Sequence, residues 1–132
     1  MSATNAINEA VEDVIGMANE AQDMAQVRRG ALGTGAGTTC EIGPSTPNTH
    51  FLDKNTVLPL DLTFNGKHKN LQTVLQAMDD IHYALTRRTV YPAGVGWQIV
   101  DIVDGMAPQV IGRETNNDWL LASSLIVKIH IM

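Results

Sequence analysis

The chain is short of several things at once, and each shortage removes a class of explanation. It carries one cysteine, Cys40. That excludes an internal disulfide, leaves no second thiol for a zinc site and predicts a reducing compartment. Aromatic residues are sparse, with two Trp, two Tyr and two Phe, so the core must be filled by Leu, Ile, Val and Met. Trp97 and Trp119 also lack flanking Lys or Arg, a poor supply of stacking platforms for single-stranded nucleic acid. Nine Lys and Arg stand against fourteen Asp and Glu, a net charge of −5. No basic cluster exceeds a pair, which argues against sequence-wide attraction to nucleic acid or anionic lipid. No run of eighteen apolar residues and no basic-then-apolar leader occur, so neither a membrane span nor export is predicted. His50, His68, His82 and His130 fall in four separate segments without metal-ligand spacing. No metal and no other cofactor is expected.

What is present is organised around Trp119 to Met132. Trp119, Leu121, Ser123, Leu125, Val127, Ile129 and Ile131 alternate with Leu120, Ala122, Ser124, Ile126, Lys128, His130 and Met132. Successive side chains of a strand point to opposite faces, so this is a long strand with one nearly continuous apolar face and one mixed face. A β-branched segment of this length belongs inside a sheet. At 132 residues with 44% apolar content the chain predicts a single domain, 1–132, with one core.

Ser2 to Arg29 reads as a helix. Its narrow stripe is Ile7, Val11, Val14, Ala18, Ala21 and Ala25; Glu9, Glu12 and Asp13 lie early, Arg28 and Arg29 late, and Gly30 is the natural stop. The stripe packs either on the protein's own sheet or between subunits. Residues 30–37 form a glycine-rich connector. A phosphate loop is disfavoured there because a helix precedes it and a short strand, Thr38 to Ile42, follows. Cys40 shares a face with Ile42 and has no flanking base to activate it.

Gly43 to Asn55 is a loop by composition. Thr56 to Asn65 alternates as a half-buried strand, with Pro59 placing its beginning at an edge or outside the pairing. Asn65-Gly66 turns the chain, and Asn70 caps a helix whose stripe is Leu71, Val74, Leu75, Met78, Ile81 and Leu85. Asp79 and His82 are three apart, and the simpler reading of the pair is an exposed ion pair or a solvated face. Trp97 to Asp104 is a strand broken by Gly105, Ala107 to Arg113 a shorter strand, and Thr115 to Asp118 a turn. The order helix, strand, strand, helix, strand, strand, strand predicts an α+β fold. Its mostly antiparallel sheet has about four to five strands, with two helices covering one face.

No catalytic constellation is visible, and the chain reads as no enzyme. Ser123-Ser124 lies within a strand without an elbow or base, and the acid pairs Glu12/Asp13 and Asp79/Asp80 diverge around their helices. Recognition is expected instead in the two longest irregular stretches, Gly43 to Asn55 and Gly105 to Asp118. They hold His50, Phe51, Asp53, Lys54, Arg113 and Glu114.

Three pieces carry a family likeness. They are Leu60 to Lys67; Trp97 to Ile102 together with Pro108 to Glu114; and Trp119 to Lys128, with its closing Ser-Ser-Leu-Ile-Val-Lys. In these the chain resembles the minor capsid protein family of tailed bacteriophages, whose members are placed as tail terminators at the head-to-tail joint. The family's Trp is often followed by Tyr-Gly before the serines, where Leu121-Ala122 stands here. The resemblance implies a virion protein, made in the host cytoplasm. It would form a homo-oligomeric ring, commonly a hexamer, that caps the tail tube, meets the head-closure or connector protein and lets DNA pass without sequence-specific binding. A different neck component, such as a head-closure or adaptor protein, and a small α+β enzyme or ligand-binding domain are the alternatives.

Overall fold

A computed structural model describes residues 3–21, 27–30, 37–42, 56–88, 90–114 and 117–131. The fold is α+β. Helix α1 (Ala3–Ala21) is followed by strands β1 (Arg28–Arg29), β2 (Gly37–Ile42) and β3 (Thr56–His68), helix α2 (Leu71–Thr86), and strands β4 (Ala93–Gly94), β5 (Trp97–Arg113) and β6 (Trp119–Ile131). The six strands make one sheet in the order β1-β2-β3-β6-β5-β4. That is more than the four to five strands expected, and the sheet is mixed because β1 runs parallel to β2. All other neighbours are antiparallel.

The last strand lies at the centre. It pairs with β3 from Thr56↔Ile131 to His68↔Trp119 and with β5 from Trp97↔Ile131 to Arg113↔Trp119. Leu121, Ser123, Leu125, Val127 and Ile129 are buried on its helix-covered face. Cross-strand register puts Leu60, Leu62 and Phe64 of β3 and Ile99 and Ile102 of β5 on the same face. There they form one core with Val11, Val14 and Ala18 of α1 and Val74, Met78, Ile81 and Leu85 of α2. Each such aliphatic side chain contributes roughly 1.5–3 kcal/mol of burial. The opposite face carries Asp61, Thr63, Asn65, Ser124, Ile126, Lys128 and His130, all half-buried.

α2 forms where its stripe and cap predict. Asn70 Oδ1 accepts the Thr73 N–H at 3.2 Å, satisfying one of the orphan donors of the first turn. Pro59 also fits its place: β3 meets β2 only from Leu62 to Lys67, so at Pro59 no described strand lies on that side, where a missing N–H is tolerated.

Three expectations are corrected. Arg28 and Arg29 do not close the first helix; they form β1, and the Gly30 N–H donates to the Cys40 carbonyl at 2.9 Å. Buried Val27, whose N–H donates to Asn19 Oδ1 at 2.6 Å, brings the chain back onto the core there. Asn65-Gly66 is no turn, because β3 runs on to His68. Gly66 serves close packing instead, since a Cβ there would lie 2.7 Å from Val74 Cγ2 and 3.0 Å from Met78 Sδ. Gly105 does not end a strand but sits in one of four register irregularities along β5, against Ser124, whose Oγ would be 2.5 Å from an added Cβ. Two short strands thus become one strand of 17 residues. β6 itself has neighbours on both sides, so it offers no edge through which a sheet could extend between subunits.

Candidate interaction surfaces

The residues expected to recognise partners divide into two groups. His50, Phe51, Asp53 and Lys54 lie outside the described residues. Arg113 and Glu114 end β5 and open the tight turn into β6, where the Glu114 N–H donates to the Asp118 carbonyl at 2.8 Å and Asn117 takes φ 73°. The stretch Gly105 to Asp118 is therefore mostly strand rather than loop. Both side chains have structural neighbours. The Arg113 guanidinium lies 4.6 Å from the Trp119 ring centroid, and Glu114 pairs with Lys67, a side chain of β3 that is only 4% exposed. Such a pair fixes the hairpin end to the neighbouring strand, and what it contributes depends on how completely the buried ammonium is satisfied.

A surface that sequence reasoning passed over is the β5 flank. Among the described residues the large exposed apolar side chains are Ile42, Tyr83, Val90, Val95, Val100, Val110 and Ile111. All but Ile42 belong to the end of α2, the segment before β5, or β5 itself. Val90 and Val95 are 74% and 78% exposed. Beyond Gln98 no described strand lies on the outer side of β5. Its four irregularities and Pro108 twist and interrupt this edge, which blunts indiscriminate strand addition. Side chains, more than a regular ladder, are thus what the flank presents. The sequence held one signal for it: a valine between Gly94 and Gly96 at the tip of a turn has no core to enter.

The polar chemistry inside the fold is local. His82 is buried and pairs through Nε2 with Asp104 Oδ1 of β5, so it does not share a solvated face with Asp79. His68 Nδ1 accepts the Asn70 N–H at 2.9 Å. Burial pushes the Cys40 thiol up to about 12, with the Arg29 charge opposing the shift, which is the environment of an inert core thiol. Among the described residues no group of three His, Cys, Asp or Glu side chains is placed to hold a metal ion, and no described helix is long and apolar enough to cross a membrane.

No protein family matches the chain, and no curated protein matches it. A solved structure does. The fold superposes on a chain of the "Virion of native gene transfer agent (GTA) particle" with a TM-score of 0.51 and 14% sequence identity, covering 98% of this chain and 95% of that one. The chain therefore shares the fold of a protein that is part of a virion, over nearly the whole length of both.

Proposed function

We propose that this protein is a structural component of a virion, a tail terminator that assembles as a ring at the head-to-tail junction. The observation that carries the virion reading is the shared fold, from end to end, with a chain of the gene transfer agent particle. The finer role draws on the resemblance of Leu60 to Lys67, of Trp97 to Ile102 with Pro108 to Glu114, and of Trp119 to Lys128 to the phage family.

The surfaces suit such a role. The two margins of the sheet are unlike: β1 and β2 present Arg28 and Ile42 on one side, and β5 presents Val100, Val110 and Ile111 on the other. Unlike margins meet head to tail, and head-to-tail contacts close into rings when the rotation permits. In this reading the ring, commonly of six copies, meets the tail tube on one side and the head connector on the other, and DNA passes through it. A net charge of −5 per subunit suits a ring that passes DNA without binding it.

Native mass spectrometry with electron microscopy of the purified protein, alone and with tail tubes, tests the reading. Closed rings seated on tube ends are expected. A monomer at high concentration that ignores tubes overturns it, and rings that bind the head connector but not the tube make the protein an adaptor.

A further inference from the structure

Between α1 and residues 88–97 runs a groove made of two adjoining cavities of about 380 and 530 Å³, which share Glu12 and Asp13. One wall is the outward face of α1. Glu9, Glu12, Asp13 and Glu20 recur at helical spacing and are exposed. Among the described residues two cations line the same cavities: Arg29, which is bonded to Glu12 and Asn8, and Arg88. Counting the described residues, four carboxylates against two guanidinium groups leave the groove at −2. The other wall is apolar, with Val90, Tyr91 and Pro92 facing Met17.

The second observation is at the far end. Trp97 lines the groove and is 1% exposed, and its indole Nε1–H is a buried donor with no acceptor among the described residues. An unpaired buried donor carries a desolvation cost, so an acceptor brought to it is worth more than one met in water. Gly94 packs directly against that indole, since a Cβ at 94 would lie 2.3 Å from Nε1, so an outside acceptor reaches the donor only when β4 moves aside. β4 is two residues long and pairs with β5 at Ala93↔Gln98 and Gly94↔Trp97, beside the Ile99 N–H bond to the Pro92 carbonyl at 3.0 Å.

We infer that this groove docks an extended, basic segment of another protein chain, with lysine or arginine side chains set against Glu9, Glu12 and Asp13. Apolar side chains of the segment cover Val90 and Tyr91, and one backbone carbonyl accepts from Trp97 Nε1–H. Each wall selects one feature. Net negative charge selects a basic occupant, the apolar wall excludes a bare ion as sufficient, and the orphan donor requires an acceptor. The inference does not depend on ring formation.

The two indole N–H signals of the ¹⁵N-labelled protein, assigned with Trp119→Phe, report on it directly. The probe is a short capped peptide of alternating valine and lysine, with a valine–glutamate peptide as control. A saturable downfield shift of the Trp97 signal, with Trp119 unmoved, is expected, and it should weaken with salt. Glu9→Gln with Asp13→Asn, both on the exposed helix face, should bind the probe roughly tenfold more weakly while the fold is retained. An unmoved Trp97 signal, an equal response to the acidic peptide, or binding unaffected by the carboxylate changes overturns the inference. So does a Trp97 shift that follows protein concentration alone, since the groove then receives a second copy. Rings seen by microscopy together with an unresponsive Trp97 would overturn the groove and leave the proposed function standing.

Discussion

β5 and β6 are joined by a tight turn and paired along their whole length, yet they are opposite kinds of strand. β6 alternates without interruption, has a neighbour on each side and buries Leu121, Leu125, Val127 and Ile129 completely. β5 needs four register irregularities to stay beside it and leaves Val100, Val110 and Ile111 exposed on an edge. Sequence composition does not separate them, since both are rich in β-branched residues. Position in the sheet does. A central strand is constrained on both faces and both edges and carries stability, whereas an edge strand retains side chains for a partner.

The largest expected effect tests the central strand. Leu125→Ala should cost about 2–5 kcal/mol, read as a lowered urea midpoint, because a fully buried leucine leaves both lost transfer energy and a cavity. Ile111→Ala on β5 should stay within about 0.5 kcal/mol. Equal losses at the two sites would erase the distinction. Removing residues 124–132 goes further: Leu125, Val127 and Ile129 each contribute roughly 1.5–3 kcal/mol, enough together to exceed a small domain's usual margin of 5–15 kcal/mol at its lower end. The truncated chain should fail to fold, as circular dichroism would report.

Cys40 probes the same core from β2. Its thiol is held near 12 in the folded protein against about 8.5 in an unfolded chain. The folded state keeps the proton more tightly, so this contribution is intact below about pH 8.5 and is lost as pH rises toward 12, at about 1.4 kcal/mol per unit. Unfolding followed between pH 8 and 10.5 should show that slope, and Cys40→Val should lessen it. An identical slope in the variant would assign the alkaline loss to other groups.

Gly66→Ala should cost about 1–3 kcal/mol through contact with Val74 and Met78, and Val74→Ala should recover part of it in a double-mutant cycle. A neutral Gly66→Ala would mean that α2 lies further from β3. The smallest effect on stability belongs to the flank. Val110→Asp with Ile111→Asp should leave the melting temperature nearly unchanged and abolish ring assembly in native mass spectrometry. Rings that persist with both aspartates would move the subunit contact away from β5.

The chain by itself determined what depends on neighbours in sequence. The alternation of Trp119 to Ile131 fixes a strand and its buried face, the stripe from Leu71 to Leu85 fixes a helix, and Asn70 caps it through a bond that spans three residues. These are properties of period and local hydrogen bonding. Tertiary structure alone decided which strand is central, because β6 acquires that place only when β3 and β5 arrive from different parts of the chain. It also decided the meaning of the glycines. Gly66 looks like a turn beside Asn65 and Gly105 looks like a break, but the first admits a helix and the second a serine from the next strand, and no local signal distinguishes a glycine that bends the chain from one that lets another segment approach. The pairings of His82 with Asp104 and of Lys67 with Glu114 were hidden for the same reason. Each joins two elements whose separation in sequence says nothing of their separation in space, and only packing against a common core brings their charges together.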